Sequence, residues 1–247
     1  KTLFDEVLNH EMSQAQNITE YLSDHRGTRT AVRTASGLLF RNKEGDAQNA
    51  TEILQWLLLQ QRVNKTDKRT FGAWKSSPNN DNIDRNWREF IGCELILIVE
   101  KHSNKLPDSL VESINQSLVM AAQGAQWRDV SPTYTNIALM TAFLMNYVGV
   151  KMDKPLIRET GLLKAWHCYN LFNRQEAFCE FNSPTYDGVS MVALALWREL
   201  GPCSEMKTMG REMELAFWEN IALFYHTRLK NMVGPFFRSY GMDMTKY

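Results

Sequence analysis

The sequence predicts an all-α protein built from helical hairpins, on three observations. Apolar residues recur at three- and four-residue spacing in most windows, strict alternation over more than four residues is nearly absent, and a Ser-Pro or Gly-Pro pair returns about every 50 residues.

Taken in order, Leu3, Val7, Met12 and Leu22 mark a helix over 2–23, and a second spans 28–41. Ile53, Leu54, Leu57 and Leu58 mark one over 49–62, and Leu95, Ile98 and Val99 one over 80–102 after the longest irregular stretch, Asn64–Asn79. Further helices are expected over 107–124, then 133–149 on Leu139, Ala142, Phe143 and Tyr147, then 156–176, 185–200 and 206–228, with a last start at 235. No sheet is expected.

The helix starts carry the repeat. Ser77-Pro78, Ser131-Pro132, Ser183-Pro184 and Gly234-Pro235 each pair an N-cap residue with proline at the first helical position, where a missing N–H is harmless. A fifth start falls near Gly27-Thr28. The chain therefore reads as a single domain over 1–247 of about five hairpins with a repeat of about 50 residues. Such an array either stays an open solenoid or closes as an α/α toroid. The toroid is favoured, because chemistry crowds at the starts: Asn79–Asn82 after the first, Thr133–Asn136 after the second, Thr185–Asp187 after the third. Helix N-termini gathered at one mouth aim free N–H groups and positive dipole ends at a common point, which suits an anion. The last helix has only Pro235–Tyr247, so the ring is small, or incomplete at its C-terminal end and closed by a missing segment or a second copy.

Composition limits the function. Twenty-eight Lys and Arg residues balance 28 Asp and Glu residues among 247, so no net field draws the chain to nucleic acid or an anionic membrane. Apolar runs such as Ile53–Leu59 are far shorter than the roughly 20 residues that span a bilayer. Sequons at Asn17, Asn49, Asn64 and Asn115 lean toward a secreted glycoprotein, while four cysteines, Cys93, Cys168, Cys179 and Cys203, are read either as buried thiols in apolar helix faces or as a disulfide framework. The cysteines are too widely spaced for a zinc ribbon, and no HExxH, Walker loop, GxGxxG or GxSxG occurs. Asp81-Asn82-Ile83-Asp84 lacks the denser acidic cluster and second motif of a magnesium site.

In the Glu180–Gly188 segment, Asn182 and Ser183 either only cap the following helix or help to form a site with Tyr186. Tyr186 shares its repeat position with Tyr134 and Asn80. Trp74, Arg128 and Glu180 share another, three residues before each Ser. Arg128 and Glu180 form either a binding pair or a structural salt bridge, and Trp74 is a stacking surface for a sugar if exposed.

The hairpin period, the Asn79–Asn82 segment and Asn182-Ser183-Pro184-Thr185-Tyr186 resemble those of α/α-toroid polysaccharide lyases that cleave uronate polymers such as alginate or glucuronan. That resemblance implies β-elimination with neither metal nor organic cofactor. It implies an acidic oligo- or polysaccharide partner, Tyr186 and Tyr134 as proton-transfer residues, and Asn82, Asn136, Asn182 and Arg128 on the substrate's carboxylate, with Glu180 and Trp74 beside them. The expected catalytic histidine on an inner helix has no clear counterpart. Two other readings stay open: a toroid glycoside hydrolase using Glu180 with Asp187 or Asp81, and a cofactor-independent cyclase, isomerase or binding protein that uses the cavity for shape.

Overall fold

The computed structural model of the chain describes residues 2–13, 15, 17–23, 27–80 and 83–239. Among these, ten α-helices dominate: α1 (Leu3–Ser13), α2 (Ile18–Ser23), α3 (Thr28–Arg41), α4 (Asp46–Leu58), α5 (Trp87–His102), α6 (Asp108–Arg128), α7 (Thr135–Lys151), α8 (Pro155–Gln175), α9 (Pro184–Leu200) and α10 (Ser204–Phe224). The all-α expectation is met, apart from a two-residue ladder of β1 (Tyr225–His226) on β2 (Asn231–Met232). The expected helix over 2–23 is two helices. Asn17 ends the first reading frame of the pattern by capping α2, its Oδ1 accepting the Glu20 N–H at 3.3 Å.

The chain divides into two compact units, Lys1–Arg128 and Asp129–Tyr247. In each, consecutive helices pack as pairs: α3 on α4 and α5 on α6 in the first, α7 on α8 and α9 on α10 in the second. Leading helices also touch, α3 on α5 and α7 on α9, as do trailing ones, α4 on α6 and α8 on α10. Both units are thus two-layered.

In the first unit the irregular segment between α4 and α5 is anchored from beneath. The Gln61 amide donates to Gly72 O (3.1 Å) and Ser117 O (3.0 Å), and its oxygen accepts from Ser117 Oγ (2.7 Å). Arg88, wholly buried on α5, donates to Phe71 O through Nε (3.1 Å) and Nη2 (2.8 Å). Phe71 passes so close to α6 that a Cβ on Gly124 would lie 2.0 Å from its carbonyl oxygen.

In the second unit α7 is buried at every position from Thr135 through Gly149, as its all-round apolar sequence requires. Only residues 152–154 separate it from α8, so the chain reverses at once and the pair packs side by side. Gly161 sets how near α8 comes, since a Cβ there would stand 2.5 Å from the Asn146 nitrogen. Trp197 on α9 donates its indole N–H to Leu139 O on α7 at 2.9 Å, tying one pair to the next.

The expected helix starts are corrected at three of four positions. Only Ser183 is an N-cap residue, and its hydroxyl makes no cap bond. Ser131-Pro132 forms a turn closed by Tyr134 N–H on Ser131 O (3.0 Å), and α7 begins at Thr135. Ser77-Pro78 is likewise a turn, closed by Asn80 N–H on Ser77 O (3.1 Å), with α5 starting only at Trp87. Pro235 through Ser239 are not helical. A Ser-Pro pair fixes a turn as readily as a helix entry, because proline needs only its own φ. Asn80 therefore does not share a helical position with Tyr186.

Candidate functional site

The residues that sequence placed at the Thr133 and Thr185 starts come together in the second unit. α7 is buried, so its first N–H groups need partners from the protein. Glu180, in the turn between α8 and α9, provides one. Its carboxylate accepts the Asn136 backbone N–H at 2.7 Å and the Asn136 side-chain amide at 2.8 and 2.9 Å, and its own N–H reaches Thr135 Oγ1 at 3.4 Å. Glu180 and Asn136 are both buried. The anion at this helix end is thus the chain's own carboxylate, which the positive end of α7 stabilises. Among the described residues Asn136 Oδ1 has no hydrogen-bond partner.

Two residues further, Asn182 takes the left-handed backbone conformation (φ 43°), which Asn tolerates better than most residues. Its buried amide donates to Val233 O (2.9 Å) and Pro235 O (2.8 Å), while among the described residues its Oδ1 lacks a partner. Ser183 then starts α9, and its N–H donates to Asp187 Oδ1 at 3.1 Å. Asp187 is 8% exposed and lies with Asn182 on a cavity of about 10 Å³, room for one water, walled by Phe178, Phe181, Phe217 and Phe224. Burial pushes its carboxyl from 3.8 up to about 7; the Ser183 N–H opposes the rise and the Glu180 charge adds to it.

Tyr134 sits at the N-cap position of α7 and Tyr186 in the first turn of α9. The guanidinium of Arg238 lies 5.6 Å from the Tyr134 ring centre, 6.0 Å from that of Tyr186 and 5.8 Å from that of Phe237. One cation therefore gathers both tyrosines named from sequence. Arg238 carries one signal in the sequence, a basic residue three positions after the Gly234-Pro235 pair.

A wider groove, about 380 Å³, begins at Pro132 and Thr133 and runs along one face of α8 past His167, Asn170 and Arg174. His167 is exposed there. Among the described residues no group of three or more His, Cys, Asp or Glu side chains is arranged to hold a metal.

The other sequence candidates lie elsewhere. Arg128 belongs to the first unit, where Nη2 donates to Asn86 Oδ1 (2.7 Å) and Nη1 approaches Glu89 Oε2 (3.4 Å); its carboxylate partner is Glu89 and that of Asn136 is Glu180. Trp74 is wholly enclosed, paired with Gln61 in a β-bridge, and presents no face for a sugar. Asn82 and Asp81 fall outside the described residues.

Fold and site together define an all-α protein of paired helices with a buried acid–amide cluster beside two tyrosines and an arginine. The chain belongs to the family described as Domain of unknown function (DUF8769), which it matches over residues 2–247. No curated protein and no solved structure matches it.

Proposed function

We propose that the paired helices are parts of an α/α toroid, closed by further chain or a second copy, and that the protein is a polysaccharide lyase acting on a uronate-containing polymer. The observation that carries this is the convergence of Tyr134 and Tyr186 on Arg238. In a uronate the C5 proton becomes removable once the adjacent carboxylate's charge is neutralised, and a guanidinium does that while stabilising the developing enolate. One tyrosine takes the C5 proton. The C5–H electrons form the C4=C5 double bond, the C4–O4 bond breaks, and the other tyrosine protonates the departing O4. The groove past His167 and Arg174 gives an anionic chain a path away from Thr133. The sequon at Asn64 is exposed and would be open to glycosylation in a secreted chain.

The test follows absorbance at roughly 235 nm, where the new conjugated double bond absorbs, on alginate, glucuronan and other uronate polymers; Tyr186→Phe should lower the rate roughly 100- to 10,000-fold. Arg238→Ala should abolish it. A wild type inert on every polymer removes the lyase, and equal rates in Tyr186→Phe remove this residue from the chemistry.

A further inference from the structure

A second groove, distinct from the tyrosine–arginine cluster, opens between α8 and α10. Its volume is about 260 Å³, and Trp166, Tyr169, Glu205, Thr208, Met209 and Glu212 line it. The two rings meet edge to face, with centroids 5.7 Å apart and planes at 85°, so they form adjacent walls of a corner. Tyr169 is held in place by its hydroxyl, which donates to Glu212 Oε2 at 2.5 Å. That bond keeps the phenol protonated, raising its pKa above the usual 10.

The positions explain the charge. Glu205, Thr208, Met209 and Glu212 follow one face of α10, and Trp166 and Tyr169 lie one turn apart on α8. Lys207 and Arg211 occupy other faces of α10, and no Lys, Arg or His lines the groove. The lining thus combines two carboxylates with two aromatic rings. Glu205 sits in the first turn of α10, where it offsets the positive helix end that would otherwise repel a cation.

We propose that this groove binds a quaternary ammonium group. A weakly hydrated, methyl-bearing cation gains from aromatic faces and from Met209 without needing direct hydrogen bonds, and the carboxylates supply the opposing charge. A primary ammonium gains less from the rings, because it is more strongly hydrated and the aromatic faces do not replace the hydrogen bonds of its three N–H donors. The site does not depend on the lyase reading.

Binding is measured by calorimetry and by saturation-transfer NMR with three probes: choline, trimethyllysine and 3,3-dimethylbutan-1-ol, the uncharged shape equivalent of choline. Saturable choline binding with a dissociation constant of about 1 mM or tighter is expected, with the alcohol at least about tenfold weaker. Trimethyllysine binding as well as choline assigns the site to the headgroup alone; weaker trimethyllysine binding assigns it to the free small molecule. Trp166→Ala should abolish binding, and Trp166 is 40% exposed, so its loss leaves the core intact. Glu212→Gln, which keeps an acceptor for Tyr169, should weaken choline about fivefold or more and leave the alcohol unchanged. Equal binding of choline and the alcohol, choline binding that survives both substitutions, or no saturable choline binding overturns the proposal.

Discussion

Asp187 gives the protein a pH-dependent stability that one substitution removes. Its carboxyl is buried against four phenylalanines with a single N–H partner, and its pKa rises from 3.8 to about 7. Between those values the folded chain keeps a proton that the unfolded chain releases, so stability falls as pH rises through this window and levels off above it. From about pH 5 to 7 that is two pH steps at 1.36 kcal/mol each, about 3 kcal/mol as an upper bound, and about 2 kcal/mol once side-chain relaxation and water entry are allowed for. Asp187→Asn keeps an oxygen for the Ser183 N–H and cannot ionise. The stability of Asp187→Asn relative to wild type should therefore grow by about 2–3 kcal/mol between about pH 5 and about pH 8.5. Urea melts of both proteins followed by circular dichroism measure it, and groups common to the two proteins cancel in the difference. Parallel stability curves across that range would refute a buried, raised carboxyl at this position.

Three further substitutions probe the framework. Glu180→Ala leaves the Asn136 N–H and amide without their acceptor and should cost about 2–4 kcal/mol in the same melts, against almost nothing if the carboxylate faced solvent. Gly124→Ala drives a methyl into the Phe71 carbonyl, 2.0 Å away, and toward Arg88 Nε; a loss of about 3 kcal/mol or more is expected, and a wild-type melt would place Phe71 elsewhere. Ser183→Ala should cost well under the roughly 1 kcal/mol of a lost cap, since the hydroxyl makes no cap bond; a full loss would show that it does.

Helix identity was legible in the sequence because periodic burial writes it directly. The expected 28–41 is the observed α3, and 185–200 differs from α9 by one residue. Boundaries set by particular hydrogen bonds were less legible, as at Asn17, where a sequon doubles as a cap. The site was half visible. Tyr134, Tyr186, Asn136, Asn182 and Glu180 do assemble in one unit, yet their partners lie 44 or more residues away, Arg238 and Tyr134 being the most distant pair, and no local pattern encodes such a distance. Trp74 and Arg128 shared only a position in a spacing scheme, which says nothing of burial: one is enclosed and the other holds Glu89 and Asn86.

The bond from Glu180 to the start of α7 also bears on how such a chain can change over time. The α7–α8 hairpin does not contain everything needed to finish its own first turn; the closing group lies in the connection that leads onward to α9. Excising or copying that hairpin alone would strand N–H donors in a dry interior, so a viable duplication has to take the outgoing connection with it. A self-sufficient unit in this half of the molecule accordingly has to run from Thr135 through Glu180, past the visible end of the hairpin.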